Sequence, residues 1–97
     1  MSILVLGEVH VAPSRIAEFK DYFRDLLPDS RAYDGFEKVE LYEDTEEEGS
    51  ILFVEYWVSR AHQERYIAWR TETGVMERLG AMFVGDTRVR YFRNTGL

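Results

Sequence analysis

The segment from Ile51 to Gly74 constrains the fold more than any other part of the chain. It opens with ILFVEYWV, a run of β-branched, aliphatic and aromatic residues that is typical of a strand. Ser59 follows as a helix N-cap, and the predicted helix then presents one polar and aromatic face, made of His62, Tyr66, Trp69 and Thr73. A strand that leads directly into such a helix can line a small pocket.

Length and composition predict one compact domain that spans residues 1–97. The chain is 45% hydrophobic and 14% aromatic, which excludes a disordered protein. A chain of this length can bury about two-thirds of its unfolded surface. It contains no cysteine, so disulfides, thiolate catalysis and cysteine-based zinc sites are excluded.

Charge and hydropathy narrow the range of partners. The formal net charge of −6 argues against nucleic acid or anionic lipid. The longest apolar runs, such as Ile3 to Leu6, are far shorter than the roughly 20 residues of a membrane span. The first residues lack the pattern of a signal peptide, so a cytoplasmic protein is expected. The acidic stretch from Glu43 to Glu48 is interpreted as a solvated hairpin loop, with a metal site as the alternative.

Hydrophobic periodicity predicts four strands, which cover Ser2–Val11, Phe36–Asp44, Ile51–Val58 and Thr87–Arg93. A first helix starts at Pro13, and Pro28 is expected to kink or end it, although Ser30 to Tyr33 could add a further turn. A second helix runs from Ser59 to about Thr73 and ends at Gly74, and a shorter one covers Val75–Met82.

Alternation within the strands predicts which side chains share a face of the sheet. In the second strand, Val39 and Leu41 are predicted to lie opposite Phe36, Lys38, Glu40 and Tyr42. In the third strand, Glu55 and Trp57 are predicted to share a face with Ile51 and Phe53.

The order β-α-β-β-α-β predicts an α+β, ferredoxin-like fold with a four-stranded antiparallel sheet and the helices on one face. The other face would leave four large apolar side chains uncovered: Leu4, Leu6, Leu52 and Tyr56. Packing two such sheets face to face around a two-fold axis would bury them, so we expect a homodimer.

The chain resembles the antibiotic biosynthesis monooxygenase family over nearly all of residues 2–93. The resemblance rests on the helix led by Pro13, the turn at Gly35 and the segment ILFVEYW-x-S-x-AH from Ile51 to His62. It implies a dimeric α+β barrel, and the strand glutamate and tryptophan of that family match Glu55 and Trp57. Activities in this superfamily include quinol oxygenation, heme degradation and isomerisation, so the fold does not fix the reaction.

The chain departs from the family at three positions. Many members carry a histidine nine residues after the strand tryptophan, where this chain has Tyr66. The heme-degrading branch relies on an asparagine and a histidine, and the matching positions here are Gly7 and Met76. Neither side chain can replace the amide contact or the axial imidazole, so heme degradation is not expected.

Three residues are candidate catalytic groups. On the face that the resemblance turns toward a cavity, Glu55 would have a raised pKa and could act as a base. Alternatively, Glu55 could be a buried structural residue paired with an arginine or with backbone across the dimer. Tyr66 and His62 lie one helical turn apart and could orient and deprotonate a hydroxyl, or they could be a core tyrosine beside a partly exposed histidine.

The predicted substrate-binding residues are Phe53, Trp57, Trp69 and Arg70. The two tryptophans could hold a flat ring or could simply be core residues, and Arg70 or Arg31 could bind an anionic substituent. With two histidines on different elements, a histidine-based metal site is not expected, and no cofactor is predicted.

Two functions are compatible with these residues. The first is a cofactor-independent monooxygenase that acts on a small electron-rich aromatic, such as a quinol or polyphenol. The second is a non-catalytic dimer that binds a small molecule or has a structural role. A cavity of a few hundred cubic ångströms would favour the enzyme, and a pocket filled by Trp57, Tyr66 and Trp69 would favour the second function.

Overall fold

A computed structural model describes residues 2–97. Its strands are β1 (Ile3–His10), β2 (Phe36–Glu43), β3 (Ser50–Trp57) and β4 (Arg88–Arg93). A 3-10 turn at Pro13–Arg15 leads into helix α1 (Ile16–Arg31), and helices α2 (Arg60–Glu72) and α3 (Val75–Gly80) separate β3 from β4. The described residues include no helix with the length and apolar character needed to cross a bilayer.

The four strands form one antiparallel sheet in the order β2-β3-β1-β4. Residues Val5 and Val9 of β1 and Phe53 of β3 are buried on the face against the helices, where Phe53 meets Phe19 of α1 edge to face. This arrangement confirms the predicted ferredoxin-like α+β fold.

Helix α1 continues through Pro28 instead of ending there, which is the further turn left open by the sequence. Proline removes one backbone donor from the helix, but the next turn is closed by a bond from the Ala32 N–H to the Pro28 carbonyl at 3.2 Å. The extra turn carries Ser30, which is 5% exposed and points into the protein.

The predicted face of Phe36 in β2 is wrong. The register of pairing with β3 shifts between Phe36 and Lys38. Phe36 pairs with Trp57 and Val39 pairs with Glu55, and these two β3 residues share one face of the sheet. The bulge adds one residue to the strand and reverses the alternation before it. Phe36 therefore shares the helix-side face with Val39 and packs edge to face on Trp57, with ring centroids 5.4 Å apart.

The acidic stretch forms an exposed loop, as expected. Its carboxylates bond to its own backbone: Asp44 accepts hydrogen bonds from the N–H groups of Glu46 and Glu47, and Glu43 accepts one from Gly49. The described residues contain no group of three or more histidine, aspartate or glutamate side chains that could hold a metal ion.

The second face of the sheet, here called the open face, carries apolar side chains from three strands: Leu4, Leu6, Leu52, Val54, Tyr56 and Phe92. Leu4 lies between Tyr56 and Phe92, which remain 37% and 39% exposed. Large aromatic side chains on a contiguous apolar surface are typical of an interaction site.

Candidate functional site

A cavity of about 130 Å³ lies between the helix-side face of the sheet and the three helices. Most of its wall is apolar, and six residues bring polar groups to it: Ser30, Glu55, Gln63, Tyr66, Arg70 and Thr87. A cavity of roughly 150 Å³ with an apolar lining can bind benzene. The space therefore fits about one aromatic ring.

Strand β3 delivers Glu55, Phe53 and Trp57 to this cavity, as the two-residue period predicts. The indole N–H of Trp57 donates a hydrogen bond to the Glu55 carboxylate at 2.8 Å. Burial raises the pKa of Glu55 above its ordinary value, and the hydrogen bond from Trp57 opposes this shift.

Glu55 belongs to none of the ion pairs formed by residues 2–97. Within residues 2–97, the one hydrogen bond to its carboxylate comes from the Trp57 indole, which also borders the cavity. A carboxyl group in such surroundings can accept a proton from a bound hydroxyl.

Tyr66 and Arg70 of α2 reach the same cavity, one helical turn apart. The Arg70 Nε donates to the Tyr66 hydroxyl at 3.0 Å, and its Nη2 donates to Ser30 Oγ at 3.1 Å and to the Leu26 carbonyl at 3.0 Å. The Tyr66 and Ser30 hydroxyls are 2.6 Å apart. These three side chains form what we call the hydroxyl–arginine network.

His62 does not line the cavity, which corrects its predicted place in the pocket. Its Nδ1 lies 2.7 Å from the hydroxyl of Ser59, the N-cap of α2, and its Nε2 lies 3.6 Å from Asp34. Gly35 has a φ of +85° and packs so closely on the imidazole that any added side chain would clash with it. The imidazole is thus fixed between the helix start and the turn at Gly35.

Trp69 does not line the cavity either, whereas Phe53, Trp57 and Arg70 do. Its ring stacks on Tyr33, with centroids 5.1 Å apart, and the Arg70 guanidinium lies 4.3 Å from its centre. The two tryptophans therefore cannot hold a ring between them. Trp57 packs instead on Tyr66, with centroids 5.0 Å apart.

Sequence reasoning did not identify three polar residues of the cavity: Ser30, Gln63 and Thr87. Gln63 is 5% exposed and accepts a hydrogen bond from the Tyr91 hydroxyl at 2.9 Å. Its spacing from Ile67 and Arg70, at intervals of four and seven residues, is the signal that could have revealed it. Arg31, considered as an anion-binding residue, is exposed at the end of α1 and does not border the cavity.

Comparison with known proteins agrees with this architecture. The model of the antibiotic biosynthesis monooxygenase family matches residues 2–73, and the chain belongs to this family. Among curated proteins, no relative matches the chain.

Solved structures similar to the chain include a conserved protein from Methanosarcina mazei Go1, with 17% identity, a TM-score of 0.87, and coverage of 98% of this chain and 94% of that one. An antibiotic biosynthesis monooxygenase is 20% identical, with a TM-score of 0.84 and coverage of 96% and 98%. A variant of SnoaB, a cofactor-independent oxygenase from Streptomyces nogalater, is 18% identical, with a TM-score of 0.79 and coverage of 97% and 93%. At these identities the likeness concerns the fold.

Proposed function

We propose that the protein is a cofactor-independent monooxygenase that acts on a small electron-rich aromatic compound of the quinol or polyphenol type. The observation that carries this proposal is Glu55, a carboxyl group with a raised pKa that borders an apolar cavity and has no arginine partner within residues 2–97. Membership of a monooxygenase family and similarity in fold to a cofactor-independent oxygenase support it.

In the proposed reaction, Glu55 takes the hydroxyl proton of a bound phenol, while Phe53 and Trp57 form the wall beside the ring. The resulting phenolate supplies the electrons that reduce molecular oxygen. One oxygen atom enters the ring as a carbonyl and gives a quinone. The other leaves as water, with the hydroxyl hydrogen and the displaced ring hydrogen. Tyr66 and Arg70 stabilise the oxyanion, which is the kind of stabilisation that contributes most in a site with little water.

No resident cofactor takes part in this sequence, because the substrate anion itself is the reductant. The protein has only to provide an enclosed pocket, a base and donors for the oxyanion. Phe53, Glu55 and the hydroxyl–arginine network supply these three functions in the proposal.

Oxygen consumption tests this function. The purified protein should consume oxygen with hydroquinone or a methyl-substituted phenol, and the quinone should be visible in the ultraviolet spectrum. Glycerol and benzyl alcohol, which cannot form a stabilised phenolate, serve as controls. Absence of turnover across a panel of monocyclic quinols and phenols would contradict the proposal.

One observation favours the alternative of a non-catalytic protein with a binding or structural role. The cavity of about 130 Å³ is smaller than the roughly 300–1,000 Å³ of most ligand sites. In that case the same phenols should bind without oxygen consumption, and calorimetry under nitrogen and under air should give the same heat.

We further propose that a second copy of the chain covers the open face in a homodimer. Along β1 and β3, the side chains of the open face alternate with those that line the cavity. In a single copy of the chain, Tyr56 and Phe92 of the open face remain partly exposed. Burying this face would remove apolar area from water at about 25 cal/mol per Å². A two-fold axis would let the same surface serve both copies.

A further inference from the structure

Arg70 is buried without a carboxylate partner. Arg70 is only 4% exposed, yet it takes part in none of the ion pairs formed by residues 2–97. The groups that accept its hydrogen bonds are neutral, namely two hydroxyls and a backbone carbonyl. The rings of Trp69 and Tyr66, with centres 4.3 Å and 5.3 Å from the guanidinium carbon, offset only part of the cost of burying a cation.

The hydroxyl–arginine network has more donors than acceptors. Arg70 donates to both Tyr66 and Ser30, and the two hydroxyls share a single further bond. Whichever hydroxyl donates that bond, the hydrogen of the other remains unused. The Arg70 Nη1 also makes no hydrogen bond within residues 2–97. Since no fully buried side-chain nitrogen in these residues lacks a partner, Nη1 retains some accessible surface.

Surplus donors and an uncompensated positive charge together define a site for a negatively charged oxygen. All three residues of the network border the cavity, and the space beside them fits about one ring. Glu55 borders the same cavity, but within residues 2–97 it forms no ion pair with Arg70, and its carboxylate accepts a hydrogen bond from the Trp57 indole instead.

We propose that the cavity binds a single-ring aromatic anion, whose charged oxygen is held by Ser30, Tyr66 and Arg70. This inference rests on the proposed function in treating the cavity as the substrate site, and it adds the charge and the size of the ligand. The charged oxygen can belong to a phenolate or to a ring carboxylate. Two-ring compounds exceed the space available.

Calorimetry with benzoate and benzamide tests the charge requirement, because the two ligands have nearly the same shape. Benzoate should bind at least about tenfold more tightly than benzamide, which is the difference expected from hydrogen bonds to a charged group. Equal affinity would exclude a ring carboxylate as the charged group of the ligand. A two-ring carboxylate, 1-naphthoate, should bind at least about tenfold more weakly than benzoate, since overfilling a packed site is unfavourable.

A second ligand distinguishes a phenolate from a carboxylate. The absorbance of 4-nitrophenol reports its ionisation, and a site for phenolate should lower the pKa of the bound phenol. A lowered pKa together with weak binding of benzoate would assign the site to phenolates, and the reverse result would assign it to carboxylates. Failure of both would overturn the proposal. Neither ligand has to be oxidised, so binding is measured independently of oxygen consumption. If a neutral phenol turns over but neither anion binds, the anion site is refuted and the proposed function is retained.

Variants tie the charge preference to the network. Arg70→Met should abolish the preference for benzoate over benzamide. If that variant does not fold, Tyr66→Phe and Ser30→Ala decide, since each removes one hydroxyl and should weaken benzoate about tenfold with little effect on benzamide. Arg31→Met removes an exposed arginine outside the cavity and is the matched control. An unchanged benzoate preference in all three network variants would refute the assignment.

Discussion

The two faces of the sheet are made by the same four strands, but they differ in chemistry. On the helix side, apolar side chains enclose Glu55 and the hydroxyl–arginine network, and no buried polar side-chain atom in residues 2–97 lacks a hydrogen bond. On the open face, Leu6 and Tyr56 lie on an apolar surface that remains partly exposed. Because neighbouring residues point to opposite faces, one strand can serve chemistry on one side and assembly on the other.

The largest expected effect is on the open face. Leu6→Arg should dissociate the dimer or unfold the protein, because it would bury an unpaired ion at a cost of several kcal/mol or more. Sedimentation should show the unmodified protein near twice 11.4 kDa at micromolar concentration. Leu6→Met, which nearly conserves volume, is the control. If the unmodified protein is a stable monomer under these conditions, the open face does not serve assembly and the contrast between the two faces fails.

A change on the helix side should affect activity more than assembly. Glu55→Gln should lower turnover by about 10²–10⁴-fold, the usual loss for a positioned acid–base group. The amide oxygen can still accept the bond from the Trp57 indole, so the fold and the mass in sedimentation should remain. Turnover close to that of the unmodified protein would exclude Glu55 as the base.

The same variant should reveal the raised pKa of Glu55 through stability. Since the folded protein holds this proton more tightly than the unfolded chain, the stabilisation present below pH 4.5 is lost as pH rises toward the folded pKa. The glutamine of Glu55→Gln does not ionise, so the variant does not lose stability in this way. Its free energy of unfolding should therefore increase relative to the unmodified protein above pH 4.5, by at most about 1.4 kcal/mol per pH unit. Denaturant titrations at several pH values measure the difference, and a decrease would assign Glu55 a stabilising role.

A smaller effect is expected at His62, which lies on neither face of the sheet. His62→Ala should leave turnover unchanged and cost about 1 kcal/mol or less, through loss of the contacts with Ser59 and Asp34. The backbone bond from residue 62 to the Ser59 hydroxyl can persist in the variant. Thermal unfolding and oxygen consumption provide the two measurements. A loss of turnover as large as that expected for Glu55→Gln would show that His62 takes part in catalysis.

The smallest expected effect is that of metal removal. Dialysis against a chelator should leave turnover unchanged, because the proposed reaction draws its electrons from the substrate and residues 2–97 offer no cluster of metal ligands. Oxygen consumption before and after dialysis makes the comparison. Recovery of lost activity by one particular metal would contradict the cofactor-independent mechanism.

Local periodicity was enough to predict the order of the elements and much of the site. Glu55 and Trp57 lie two residues apart on a strand, so they reach the same face in any sheet that β3 joins. Tyr66 and Arg70 are four residues apart on α2, so they are neighbours wherever the helix packs. These relations depend only on backbone geometry within one element.

Tertiary structure decided how each element is turned and which distant residues join it. The predicted stripe of His62, Tyr66, Trp69 and Thr73 shares one side of α2, but the side that borders the cavity is rotated from it by about a quarter turn, so only Tyr66 belongs to both. The bulge at Phe36 and the turn that carries Ser30 past Pro28 likewise depend on packing between elements. A helix can satisfy its own hydrogen bonds at any rotation about its axis, and only contacts with the sheet and with α1 select the one observed.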